Sequence, residues 1–172
     1  MRISDRTFLL ADRIWIAVAS LHQTFPLRED FTKDEIRQKM REMGLMEGVK
    51  LTSVAAHLKE HLVANVPPST GKYRMLYETP SGGLRLFLTG DRVDPGRESR
   101  RPAKQCPKKE EIPLEYLPFL DWYARWCERH IENPRPVNYE DDPLIRLIGS
   151  GKHIWADEHA DEYVENLRRE DI

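Results

Sequence analysis

Apolar residues recur at helical spacing over much of the chain, and at strand spacing in one short region. Leu10, Ile14, Val18 and Leu21, with Ala11, Ala17 and Ala19 between them, predict a first helix over 6–21, and Pro26 ends any continuation. The next start is strongly marked. Thr32-Lys33-Asp34-Glu35 fits a capping box, in which the Thr32 hydroxyl accepts from the Glu35 N–H and the Glu35 carboxylate reaches back, while Phe31 and Ile36 occupy the positions of a hydrophobic staple. Ile36, Met40 and Met43 form one apolar stripe, and Gly44 is placed to stop this second helix in a left-handed turn. A third helix is expected from Thr52 or Ser53 to about Val63. It has Val54, Ala55, Leu58 and Leu62 on one face and Ser53, Ala56, His57, Lys59 and Glu60 on the other. After Pro67-Pro68, the segments Tyr73 to Glu78 and Leu84 to Leu88 read as strands joined by the turn Pro80-Ser81-Gly82-Gly83.

Three helices followed by a hairpin is the plan of a winged helix-turn-helix. The expected fold class is therefore α+β, mainly helical, with that unit over 1–90. Residues 91–111 carry Pro, Gly and charge without apolar periodicity and predict an extended or mobile basic connector. In 112–132 the residues Leu117, Leu120, Tyr123, Ala124 and Cys127 recur at helical spacing, with Trp122 and Trp126 as an aromatic edge, so this helix should pack on the domain. Asn133-Pro134-Arg135-Pro136 breaks the chain. A C-terminal helical extension over 133–172 then has a short helix opening on Asp142-Pro143, a hinge at Gly149-Ser150-Gly151, and a last helix from Asp157 with Ala160, Tyr163, Val164 and Leu167 on one side.

Composition narrows the function classes. At 172 residues the chain is long enough for one domain with an appendage; 40% hydrophobic residues allow a core, and 33% charged residues with a mean hydropathy of -0.65 imply a large solvated surface. No apolar run approaches the roughly 20 residues of a membrane helix, and Phe8-Leu9-Leu10-Ala11 is too short for a signal peptide, so a soluble cytoplasmic protein is expected. Cys106 and Cys127 form no metal-binding spacing. The net charge of -2 is unevenly spread: residues 132–172 hold 5 Lys and Arg against 11 Asp and Glu, which leaves 22 against 18 in residues 1–131. A basic body with an acidic tail suits a polyanion at one end and a separate partner at the other.

Double-stranded DNA is the expected polyanion. The outward residues of the third helix are short and polar, and Ser53, His57 and Lys59 are candidates for base edges or phosphates. Lys50, with the Thr52 and Ser53 hydroxyls at the helix start, suits a phosphate, while Lys72, Arg74 and Arg85 on the hairpin would contact the DNA backbone and make affinity depend on salt. Regulators that read palindromic sites are commonly dimers, so a homodimer fits this picture. Other chemistry is thin. His57 and His61 lie four apart on one helix, but no third ligand accompanies them, and the carboxylates near the strands (Glu78, Asp91, Asp94) lack the E-x-K spacing of a magnesium-dependent nuclease. The expectation is a non-catalytic protein without cofactor or metal, with a nuclease subunit as the least favoured alternative and a protein-interaction adaptor on a winged-helix scaffold as the nearer one.

Two resemblances add to this reading. The stretch from Ile148 through Trp155, Tyr163 and Val164 to Leu167 and Arg168 resembles the toxin-binding tail of type II antitoxins that neutralise PIN-domain ribonucleases. The resemblance implies a flexible stretch with an aromatic anchor, here Trp155 with Tyr163, Val164 and Leu167 behind it, and a basic group at Lys152, Arg168 or Arg169. It implies a protein toxin as partner and a role in transcription regulation. The same aromatic residues would equally serve to pack on the chain's own helix around Trp122 and Trp126. In the body, Val54-Ala55-Ala56-His57-Leu58, Ala64-Asn65, Pro67-Pro68, Gly71-Lys72-Tyr73-Arg74-Met75-Leu76-Tyr77 and Leu120-Asp121-Trp122-Tyr123 resemble a recurrent prokaryotic winged-helix family of no settled function, which implies the fold alone.

Overall fold

The computed structural model describes residues 8–68, 73–97 and 103–132, with only the backbone of the last two. They belong to a compact unit that ends at Asn133. The structure is α+β: helices α1 (Leu10–Thr24), α2 (Lys33–Glu42), α3 (Leu51–Ala56) and α4 (Leu117–Glu132), and a two-stranded antiparallel sheet of β1 (Leu76–Glu78) and β2 (Leu84–Leu86). The expected short helix after Asp142 and last helix after Asp157 lie outside the described residues.

Helix α1 starts and ends later than its apolar spacing predicts, and it is buried all round rather than along a stripe. Ile14, Trp15, Ile16, Ala17, Val18 and Ala19 are fully buried in succession. A helix that is apolar on every side must lie inside; α2 and α4 pack on it, as does β2. The extra turn to Thr24 is closed by the Thr24 hydroxyl donating to the Ser20 carbonyl at 2.9 Å and by the Phe25 N–H donating to Leu21 at 2.8 Å.

The start of α2 is as the sequence predicts. The Glu35 N–H donates to Thr32 Oγ1 at 3.2 Å and the Thr32 N–H to Glu35 Oε2 at 2.8 Å, completing the box, while Phe31 and Ile36 are both fully buried. Arg28 Nη1 also donates to Glu35 Oε1 at 2.6 Å, and this bond, followed by the one from Thr32, lowers the Glu35 pKa from 4.5 to about 2. At the other end the chain turns at Gly44 with φ +69°, and the Leu45 N–H reaches back to the Met40 carbonyl at 2.8 Å.

Helix α3 departs from expectation at both ends. Its N-cap is Lys50, which makes no side-chain cap, so Thr52 and Ser53 stand inside the first turn rather than capping it. After Ala56 the helix widens through His57–His61, with the Leu62 N–H bonding the His57 carbonyl at 3.1 Å. It stops there because Val63 is drawn into a parallel bridge with Leu76, while the Leu62 carbonyl accepts from the N–H groups of Met75 and Leu76. Val54, Leu58 and Leu62 still face the core; Ala55 is only half-buried.

The hairpin pairs Leu76 with Leu86, Tyr77 with Arg85 and Glu78 with Leu84, so the regular strands are shorter than the runs suggest. Two other segments extend it. Phe31, between α1 and α2, exchanges both backbone hydrogen bonds with Leu84 at 2.8 and 2.9 Å. On the β1 side, the Asn65 amide takes the place of a strand, donating to the Glu78 carbonyl at 2.8 Å and accepting from its N–H at 2.9 Å. The turn is tied to the body by Asp30, whose carboxylate accepts from the hydroxyls of Thr79 and Ser81. Gly83 lies against that carboxylate with no room for a Cβ.

Helix α4 is entered through a tight turn over Leu114–Tyr116. Its inward face is centred on Tyr123 and Trp126; Ala124, predicted on the apolar stripe, is exposed. Trp15 sets this rotation by meeting the Tyr123 ring edge-on at 5.2 Å, and the Tyr123 hydroxyl donates to the Phe87 carbonyl.

A Gly83→Ala substitution is expected to cost about 1–3 kcal/mol in urea denaturation, as overpacking does, because the methyl must displace Asp30 from the turn. Glu35→Gln keeps the reach of the cap and loses the charge. A carboxylate with a depressed folded pKa stabilises above its unfolded pKa, so the wild-type advantage, about 0.5–1 kcal/mol for a screened surface group, should be present at pH 7. It should fade as pH falls from 4.5 towards about 2.

Candidate nucleic-acid interface

Lys50 and Thr52 are exposed at the start of α3, with Ser53 half-buried one residue further on. His57 is turned back on its own helix. Its Nδ1 lies 2.8 Å from the Ser53 carbonyl, which can only accept, so Nδ1 carries the proton. Burial lowers the His57 pKa, with the neighbouring His61 ring 4.9 Å away adding to the effect against the Ser53 bond. The ring is therefore a neutral donor rather than a phosphate-binding cation. Lys59 is exposed, with its ammonium 3.2 Å from the Glu60 carboxylate.

Of the expected hairpin cations, Arg74 and Arg85 are engaged inside the molecule. Arg85 is only 7% exposed: it makes a two-pronged pair with Asp91, at 2.6 Å to each oxygen, donates to the Leu86 carbonyl at 3.0 Å, and lies over the Tyr77 ring at 4.4 Å. Arg74 is half-buried and donates through Nη2 to the Arg97 carbonyl at 2.9 Å. The DNA-backbone role expected of Arg85 is thus corrected: a strand with both faces covered, and an aspartate six residues on, take its guanidinium inward. Lys72 lies outside the described residues, as do Lys152, Trp155, Tyr163, Val164, Leu167, Arg168 and Arg169 of the tail.

The segment expected to be a free basic connector is also partly internal. Arg97 is fully buried and gathers main-chain carbonyls from the helix end at Glu60 and His61, from the loop after it and from the segment before β1. It donates to Val66 at 2.6 Å, Tyr73 at 3.0 Å and His61 at 3.3 Å, and also to Glu60. It satisfies carbonyls that the end of α3 leaves open. Lys104 bridges the fully buried Asp12 of α1 at 2.6 Å and Glu111 at 2.7 Å. Burial pulls the Lys104 pKa down, but the bonds from Asp12 and Glu111 outweigh it and hold the ammonium charged; burial pushes Asp12 up despite Lys104. Arg92, Lys108 and Lys109 remain exposed, and Arg100 and Arg101 lie outside the described residues.

Sequence reasoning missed Arg97, Asp91 and the set of Asp12, Lys104 and Glu111. Only Asp12 carried a signal, as a carboxylate between Leu9-Leu10-Ala11 and Ile14-Trp15-Ile16 whose burial demands a cation. Among the described residues no group of three or more His, Cys, Asp or Glu side chains is placed to hold a metal ion. Compared with protein-family models, curated proteins and solved structures, the chain matches none.

Arg85→Ala would leave the Asp91 carboxylate, at 11% side-chain exposure, without its cation and with only the Leu88 N–H at 2.7 Å. The expected cost is about 3–5 kcal/mol, read as a lowered denaturation midpoint, whereas Lys59→Ala should stay within about 0.5 kcal/mol of wild type.

Proposed function

We propose that the chain is a DNA-docking regulator of the antitoxin type, in which a winged-helix body meets DNA and the acidic segment after 133 engages a protein toxin. The observation that carries the reading is the element order together with the Phe31–Leu84 bridge. A strand position between α1 and α2 pairs with the second hairpin strand, as a winged helix requires, and holds the hairpin to the body that carries α3. Among the described residues the cations and hydroxyls on offer are Lys50, Thr52, Ser53 and Lys59, with Arg92, Lys108 and Lys109 from the following segment.

With few free cations, binding should be of modest affinity and strongly weakened by salt. Neutralising two to four phosphates implies a log–log salt slope of about -2 to -4. Fluorescence anisotropy on DNA from the protein's own upstream region, at two salt concentrations, tests this. Lys50→Glu with Lys59→Glu should weaken binding by about tenfold or more at low salt, since the exchange reverses two charges at the surface. Absence of binding, or binding indifferent to salt and to this pair, removes the DNA reading. For the tail, a chain truncated before Gly149 should fail to hold a PIN-domain protein encoded beside it, and full retention counts against the antitoxin role.

One observation favours a protein-interaction adaptor as the second reading: Arg74 and Arg85 are spent inside the fold and Lys59 is paired with Glu60, which leaves a face of mixed charge. Under that reading the same face docks a protein, and the anisotropy measurement separates the two.

A further inference from the structure

Apart from α3, the C-terminal turns of α1 and α4 flank a partly open cavity of about 560 Å³, lined in part by His22, Trp122, Trp126, Arg129 and His130. The size is within the roughly 300–1,000 Å³ of small-molecule sites. Trp122 and Trp126 stack at 5.8 Å with an angle of 24° between their planes. Trp126 is almost fully buried and is held by Tyr123 at 6.0 Å, His22 at 5.1 Å and His130 at 4.3 Å. Trp122 is half-buried on this fixed support, and an indole so held suits the stacking of a flat ring.

Apart from the neutral amide of Gln23, the polar side chains at the cavity are basic. Arg129 makes only a long bond, from Nε to the Arg125 carbonyl at 3.4 Å, and His130 Nδ1 lies 2.7 Å from the Trp126 carbonyl. Because that carbonyl only accepts, Nδ1 carries the proton, and Nε2 is the ring nitrogen outside that bond. Among the described residues that line the cavity none is acidic. Basic side chains in a last helical turn do complement the helix dipole, which accounts for His22 on α1 and for Arg129 and His130 on α4. It does not account for their convergence on a supported indole.

We propose that this cavity binds a small planar aromatic anion, its ring stacked on Trp122 and its carboxylate or phosphate directed to Arg129. The inference rests on the α1–α4 geometry and stands whether or not α3 docks on DNA. Bound there, such a ligand bridges the ends of the two helices and raises the stability of the unit by mass action.

Calorimetric titration of the full chain with indole-3-acetate and with adenosine monophosphate, each beside its neutral counterpart indole or adenosine, tests the proposal and separates a carboxylate from a nucleotide. At least one anion should bind saturably with one-to-one stoichiometry, and its neutral counterpart at least about tenfold more weakly, which is about 1.4 kcal/mol for the lost charge. Trp122→Ala should abolish binding. Arg129→Glu alters an exposed side chain, so it should fold and melt like wild type while weakening the anion about tenfold or more. The proposal is overturned if neither anion binds, if a neutral counterpart binds equally well, or if Arg129→Glu binds like wild type.

Discussion

Burial of α1 on every side is the constraint from which the rest of the fold follows. Six consecutive residues, Ile14 to Ala19, are removed from water, so no single neighbouring element can cover the helix. The chain must wrap it with α2, the hairpin and α4, and must return the segment after the hairpin to its N-terminal end. That return is where Asp12 matters. The helix carries its carboxylate inside with it, and a buried charge persists only with a partner. Lys104 supplies the partner, with Glu111 on its far side, and pins a stretch that composition alone would leave in solvent.

The same logic governs the hairpin. Two strands of three residues each are too small to stand alone in water, and this pair is secured from four directions. Phe31 continues it on one edge and Asn65 caps the other. Asp30 gathers the turn, and Arg85 with Asp91 closes the loop that follows. Arg97 then joins the end of α3 to the segment leading into β1 by collecting their carbonyls. The consequence reaches function. Cations that a charge count assigns to a polyanion are spent on the fold, which leaves the proposed docking by α3 with Lys50, Lys59 and a few exposed residues beyond.

Local devices were legible in the sequence and non-local ones were not. The capping box of α2, the turn at Gly44 and the hairpin are set by residues within a few positions of one another, and each stands where the spacing puts it. The end of α3 could not be read, because its apolar pattern runs on past His61 while the bridge from Val63 to Leu76 and the reach of Arg97 decide where the helix stops. The inward face of α4 was misread by part of a turn, since Ala124 and Trp126 are both apolar and only contact with Trp15 and His22 selects between them. Of the candidate interface, the positions of Lys50 and Thr52 on an exposed helix start were readable; the inward turn of His57, Arg74 and Arg85 was not.

By itself, then, the sequence determined the kinds and order of the main helices and the hairpin among the described residues, because helix caps, stop signals and apolar periods act over a turn or two of chain. Tertiary structure alone decided which charged residues remain available to a partner. The reason is that a guanidinium or ammonium has the same local signature whether it faces water or a buried carboxylate, and the choice depends on groups distant in sequence: Asp12 for Lys104, and the carbonyls around α3 for Arg97. The aromatic and basic ends of α1 and α4 meet for the same reason. His22 and Trp122 are a hundred positions apart, and only the wrapping of α1 brings them to one cavity.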